Sequence, residues 1–184
     1  MKTTGIVLAG GKSTRFGEDK ALYLFKNKPL VLHALDILRP FCDELMISTN
    51  SPESYQDFGV KTVMDIYTGS GPLGGIHAAL SISQGSHAAF ISCDTPFIPS
   101  DIYPFLLENM ADHQAIMPAH GEYVETMCAI YQKSSLPFIE KAIVGKKYKI
   151  LEALKAINVR YINIENETFF RPEIFHNINY KTDL

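Results

Sequence analysis

Cysteine is scarce in this chain. The 184 residues hold three, Cys42, Cys93 and Cys128, at wide spacings. An odd count without a C-x-x-C pair, and without a histidine at metal-ligand spacing, speaks against a disulfide framework and fits a reduced, cytoplasmic protein. Long hydrophobic runs are missing too. No apolar stretch approaches the ~18 residues of a membrane span, and Met1-Lys2-Thr3-Thr4 runs straight into a strand-like segment too short for a secretory apolar region. Neither export nor membrane insertion is expected. Nor is there an excess of charge of one sign: 17 basic against 20 acidic side chains leave a net charge of −3. No global field therefore draws the chain to nucleic acid. Repeats, low-complexity tracts and linkers are absent as well.

What remains is an ordinary globular composition, 46% apolar and 20% charged. Its length is most simply one domain, with enough chain to bury a core without disulfide or metal staples. Apolar runs of strand length recur at residues 5–9, 45–49, 60–64 and 88–93, and none alternates strictly between apolar and polar. Such runs, separated by helical patterns over 30–39, 76–83 and 102–110 and a short proline-started helix through Phe58, predict a sheet covered on both faces. Further along, residues 115–117, 127–131 and 159–164 read as strands, and 136–144 and 150–157 as helices. The expected fold is a single-domain, Rossmann-like α/β architecture with a mostly parallel central sheet and helices on both faces. Glycine thins out after Gly85, leaving only Gly121 and Gly145. Residues 1–110 are thus expected to bind mainly nucleotide, and residues 111–184 mainly to shape an acceptor pocket, within one domain spanning 1–184.

The most informative segment follows the first apolar run: Leu8-Ala9-Gly10-Gly11-Lys12-Ser13-Thr14-Arg15-Phe16-Gly17-Glu18-Asp19-Lys20. Gly10 and Gly11 remove two Cβ atoms where backbone N–H groups can approach a phosphate. Lys12, Arg15 and Lys20 add countercharge, Arg15 as a planar fork and Lys20 as a compact point charge. Gly11-Lys12-Ser13 imitates the end of a Walker A loop, but that motif needs glycine where Ile6 stands. The pattern points to a nucleoside triphosphate held by a different glycine-rich loop.

Other polar residues fall at strand ends, where a doubly wound sheet collects its ligands. Asp94, in Ser92-Cys93-Asp94-Thr95-Pro96, is positioned to hold Mg²⁺, which takes one or two carboxylates and completes its shell with water and phosphate. Asp65, Ser48 and Asn50 are short side chains suited to a base edge or a ribose hydroxyl. Ser70-Gly71-Pro72-Leu73-Gly74-Gly75 is a second glycine cluster before a helix. Asn177-Ile178-Asn179 alternates, so both amides would share one face of an extended segment. Each of these patterns also occurs in ordinary turns.

Taken together and in this order, the segments resemble the molybdenum cofactor guanylyltransferase family, within the nucleotidyltransferases of Rossmann-like α/β fold. The resemblance rests on Leu8-Ala9-Gly10-Gly11, Arg15-Phe16-Gly17, Asp19-Lys20, Gly71-Pro72-Leu73-Gly74-Gly75, Cys93-Asp94-Thr95-Pro96, Cys128-Ala129-Ile130-Tyr131 and Asn177-Ile178-Asn179. It implies transfer of GMP from GTP to molybdopterin or Mo-molybdopterin with release of pyrophosphate. It also implies Mg²⁺ as cofactor, and molybdenum cofactor chaperones or apo-molybdoenzymes as partners. By the same resemblance Leu8, Ala9 and Gly10 contact the nucleotide with Ser48 and Asp65, and Gly11 and Asn50, read from their own positions, join this set. Lys20 lies on the phosphates and Asp94 holds the metal; Arg15, by its planar charged fork, is expected to support the departing pyrophosphate. Asn177 and Asn179 are the active-site amides on the acceptor side, Asn179 being counted with the catalytic set. Gly10 resembles the guanine-specific members, since cytidine-specific relatives usually carry alanine there. Ser48 stands where many members have asparagine, Thr126 where proline is common, and Tyr180-Lys181 where Thr-Pro is common. A CTP-dependent or sugar-nucleotide-forming enzyme of the same fold, or a non-catalytic nucleotide-binding delivery protein, are the alternatives.

Overall fold

The computed structural model describes residues 2–10 and 19–179. Strand β1 (Thr3–Leu8) is buried along its whole length, as expected for an apolar run covered on both faces. A 3-10 turn, Lys20–Leu22, leads into a hairpin of β2 (Leu24–Phe25) and β3 (Lys28–Pro29). Its tip, Lys26 and Asn27, has positive φ at both residues, the backbone of a two-residue turn that matches strand twist. Then come α1 (Leu30–Leu38), β4 (Glu44–Ser48), a 3-10 helix at Pro52–Phe58, β5 (Lys61–Val63), α2 (Pro72–Ile82) and β6 (His87–Ser92). The remainder contains α3 (Ile102–Glu108), β7 (Ala115–His120), β8 (Tyr123–Val124), β9 (Ala129–Gln132), α4 (Leu136–Val144), α5 (Ile150–Ala153) and β10 (Val159–Asn163).

The main sheet runs β10-β7-β9-β6-β1-β4-β5, with β8 paired to β7. Most pairs are parallel, but β9 is antiparallel to both β6 and β7. Alternate side chains feed two cores. Val7, Ile47, Ile91 and Ile130 pack beneath α1 and α3, whereas Ile6, Met46, Phe90 and Tyr131 pack beneath α2, α4 and α5. From β1 the chain proceeds outward to β4 and β5 on one side, then crosses to β6 on the other. That reversal is the place where an open α/β sheet parts its loops and binds ligands.

Several expected boundaries move. The helix expected over 76–83 begins at Pro72, so Gly74 and Gly75 lie inside it rather than in the loop before it. Proline at the first helical position presets φ, and Gly71, at φ 60°, supplies the left-handed residue just before it. The strand expected over 127–131 is shifted to Ala129–Gln132. The helix expected over 150–157 is α5 followed by a 3-10 turn at Leu154–Ala156.

Candidate active site

The carboxyl ends of three strands lie level. Leu8 pairs with Ser48 of β4 on one side and with Ser92 of β6 on the other. Backbone bonds continue past the strands, from Ala9 N to Ser48 O at 2.9 Å and from Cys93 N to Leu8 O at 3.1 Å. Over this edge opens a cavity of about 580 Å³, lined by Leu8, Ala9 and Gly10, and by Ser48, Asn50 and Asp65. That is a small-ligand volume, ~300–1,000 Å³.

Two side chains on its wall hold each other. Asn50 Nδ2 donates to Asp65 Oδ2, and Asp65 N donates to Asn50 Oδ1, both at 3.1 Å. Helix α2 forms the opposite wall by an unusually close approach. A Cβ on Gly75 would lie 2.6 Å from Ser48 Oγ and 3.2 Å from Leu8 Cδ2, and one on Gly74 would lie 3.1 Å from the Tyr67 carbonyl oxygen. The second glycine cluster thus seats a helix against the strand ends.

A charged cluster adjoins the cavity. Lys20 Nζ donates to Asp94 Oδ2 at 2.7 Å and to Asn179 Oδ1 at 3.2 Å. Ser92 Oγ donates to Asp94 Oδ1 at 2.5 Å, and Ile178 N to the Asp94 carbonyl at 2.9 Å. The ion pair is largely shielded, with side chains 15% and 18% exposed. Asp19 fixes the turn that carries Lys20. Its Oδ1 accepts from Ala21 N at 3.1 Å and its Oδ2 from the hydroxyl of buried Tyr55 at 2.6 Å. Burial, then the hydrogen bond to the Asp19 carboxylate, pushes the Tyr55 phenol far up, so it stays a donor. Cys93 is buried between these groups, and burial pushes its thiol up, next the charge of Asp94. Such a thiol is inert as a nucleophile.

Leu8, Ala9, Gly10, Ser48, Asn50 and Asp65 therefore share one cavity, while Lys20, Asp94 and Asn179 meet beside it. Asn177 is exposed, and its side chain makes no hydrogen bond among the described residues. Gly11, Arg15, Tyr180 and Lys181 lie outside the described residues. Sequence reading missed Tyr55, Ser92 and Met127. Only Ser92, two residues before the carboxylate it binds, carried a local signal.

Among the described residues no group of three or more histidine, cysteine, aspartate or glutamate side chains gathers as a metal cage. One carboxylate, Asp94, beside a small-ligand cavity still fits Mg²⁺, whose shell is commonly completed by substrate phosphates and water.

A cavity of small-ligand volume beside a lysine–carboxylate pair, at the switch point of a doubly covered sheet, fits the class of transferases that handle nucleotides. The model of the MobA-like NTP transferase domain matches residues 5–158. A probable molybdenum cofactor guanylyltransferase of Carboxydothermus hydrogenoformans is 34% identical over 182 residues, 98% of this chain and 92% of that protein. The molybdenum cofactor guanylyltransferase of Desulfosudis oleivorans is 33% identical over 186 residues, with 98% and 92% covered. The crystal structure of molybdopterin-guanine dinucleotide biosynthesis protein A from Archaeoglobus fulgidus superposes with a TM-score of 0.82 at 28% identity, covering 98% of this chain and 94% of that one. The chain belongs to the MobA-like NTP transferase family and is a nucleotidyltransferase. Members of this family typically use a divalent metal.

Proposed function

We propose that the protein transfers GMP from GTP to the terminal phosphate of molybdopterin or its metal-loaded form, releasing pyrophosphate. The observation that carries this reading is the Lys20–Asp94–Asn179 cluster beside the cavity, in a chain whose relatives bear the guanylyltransferase name. An oxygen of the acceptor phosphate forms the new bond to the α-phosphorus of GTP. The bond from that phosphorus to the α–β bridging oxygen breaks, and pyrophosphate leaves with the electron pair. No protein nucleophile is needed, because the acceptor phosphate is already an anion.

The protein's share is alignment and countercharge. Leu8, Ala9, Gly10 and Gly11 run along guanine and ribose, with Ser48, Asn50 and Asp65 at the nucleoside. Lys20 neutralises charge on the phosphoryl oxygens, and Arg15 supports the pyrophosphate. Asn177 and Asn179 face the acceptor phosphate. Asp94 would hold Mg²⁺, which supplies Lewis-acid charge neutralisation when bound. Residues 1–110 supply most of the nucleotide site and 111–184 most of the acceptor site. Met127 on the nucleotide cavity is the exception. A cytoplasmic setting and handover to cofactor chaperones or apo-molybdoenzymes complete the reading.

The test mixes protein, Mg²⁺ and molybdopterin with GTP or CTP and searches for a nucleotidylated pterin by mass spectrometry. A guanylated product is expected; a cytidylated one, or none, overturns the reading. Lys20→Ala is expected to lower turnover by on the order of a hundredfold or more, the scale of losing one electrostatic donor in an active site.

A further inference from the structure

A stack of three rings stands at the carboxyl end of β7, outside the nucleotide cavity. The β7–β8 hairpin turns through Gly121, at φ 53°, and Glu122, and sets His120 opposite Tyr123. Their rings lie 5.6 Å apart at 30°. The His120 ring also lies 5.1 Å from Phe175, nearly parallel at 12°, and 5.8 Å from Phe170. A hydrogen bond of 3.0 Å between His120 Nε2 and Glu125 Oε1 fixes the imidazole plane. Phe175 and His120 are thus packed, while Tyr123 is 69% exposed and caps the stack. An isolated exposed tyrosine on a hairpin would mean little. This one rests on rings already held in place, so little side-chain freedom is left to lose when something flat settles on it.

Strand register fixes where the stack lies. Ile130 of β9 pairs with Ala89 of β6 and with Ile116 of β7. Counting forward along the two parallel strands brings His120 level with Cys93, the neighbour of Asp94, two strand spacings or ~10 Å away. The chain ties the same points together. Glu125 is two residues from Met127 on the nucleotide cavity, and Phe175 is three residues from Ile178, which donates to the Asp94 carbonyl. The stack therefore stands on the acceptor side, at the distance a phosphate-bearing ring system would span.

We infer that the pterin ring of the acceptor docks, by its flat pyrimidinone face, on the outer face of Tyr123, with its phosphate reaching the Lys20–Asp94–Asn179 cluster. This rests on the proposed function, and it assigns the acceptor a ring platform that the phosphate-binding residues do not provide. An aromatic face suits a flat heterocycle of any substitution, as bases of any sequence stack on aromatic side chains in single-stranded nucleic-acid binding.

The test compares Tyr123→Ala and Tyr123→Phe with the wild type in two measurements. In steady-state guanylylation, Tyr123→Ala raises the KM for molybdopterin about tenfold and leaves the Kd for GTP unchanged, whereas Tyr123→Phe behaves as wild type. In direct binding, quenching of the fluorescence of a pterin monophosphate is lost in Tyr123→Ala and kept in Tyr123→Phe. Unchanged KM and quenching in Tyr123→Ala overturn the inference while a guanylated product from the wild type leaves the proposed function standing. If the wild type makes no guanylated pterin, the proposed function falls, and the quenching measurement alone decides the ring site.

Discussion

Lys20 reaches Asp94 because Asp19 holds its turn in place, and Asp19 in turn is held by Tyr55, 36 residues further along the chain. A lysine on a three-residue 3-10 turn would otherwise sample many rotamers. Removing only the Tyr55 hydroxyl should loosen that turn without opening the core, since the ring stays buried. Tyr55→Phe is expected to lower kcat on the order of tenfold through misplacement of Lys20, with little change in KM for GTP. It should also cost about 1–2 kcal/mol of stability for a lost bond to a carboxylate. Steady-state kinetics with urea denaturation checks both, and an unchanged kcat would show that Lys20 is aimed by other contacts. Lys20 and Asp94 stood out as candidates through the motifs around them, Asp19-Lys20 behind the glycine loop and Cys93-Asp94-Thr95-Pro96 at a strand end, and the fold brings the two side chains together. Tyr55 was not, because one tyrosine in a short polar helix looks like any other until the fold brings it to Asp19.

At the scale of elements, the seating of α2 on β1 and β4 decides the width of the nucleotide cavity. Glycine in a helix ordinarily costs roughly 0.5–1 kcal/mol relative to alanine, so Gly75→Ala would stabilise an isolated helix. Here the added methyl would stand 2.6 Å from Ser48 Oγ and 3.2 Å from Leu8 Cδ2, side-chain atoms of the cavity wall that would have to shift into the nucleotide site. Overpacking wins: Gly75→Ala is expected to lose about 1–3 kcal/mol and weaken GTP binding by pushing α2 off the strand ends. Adding Ser48→Ala removes the nearest atom, and the double variant should recover part of the stability. A double-mutant cycle by thermal or urea denaturation measures this coupling, and strict additivity would contradict it. The same glycines explain why the start of α2 was misread from the sequence. Two low-propensity residues suggest a loop, and only the close contact with Ser48 gives the reason for them. Long strands were readable from their continuous apolar runs, whereas the two-residue β2, β3 and β8 are too short to carry a pattern.

For the whole molecule, the two cores on either side of one sheet bury two imidazoles that water would otherwise charge. His77, on α2, sits 5.1 Å from the Tyr67 ring, with Nδ1 buried and without a partner among the described residues. His87 opens β6 and is buried as well. Burial pushes both imidazoles below their ordinary value, opposed at His77 by the nearby carboxylate of Glu140. A lowered value means that the folded protein takes up these protons less readily than the unfolded chain. The stability they confer is therefore complete above the unfolded imidazole value of about 6.5 and is lost as pH falls through the folded values below it. The Tm should hold steady from pH 8 to about 7, then fall between about pH 6.5 and 5, before ordinary carboxylates begin to titrate. His77→Gln removes one of the two groups and should flatten part of that slope while leaving the plateau near neutral pH lower, since a packed ring is lost. Thermal melts at half-unit steps across this window decide the matter: a slope as steep in His77→Gln as in the wild type would place the acid sensitivity elsewhere. The sequence could not indicate this behaviour, because six scattered histidines look alike until the packing of α2 against α4 buries His77 and leaves the others in different surroundings.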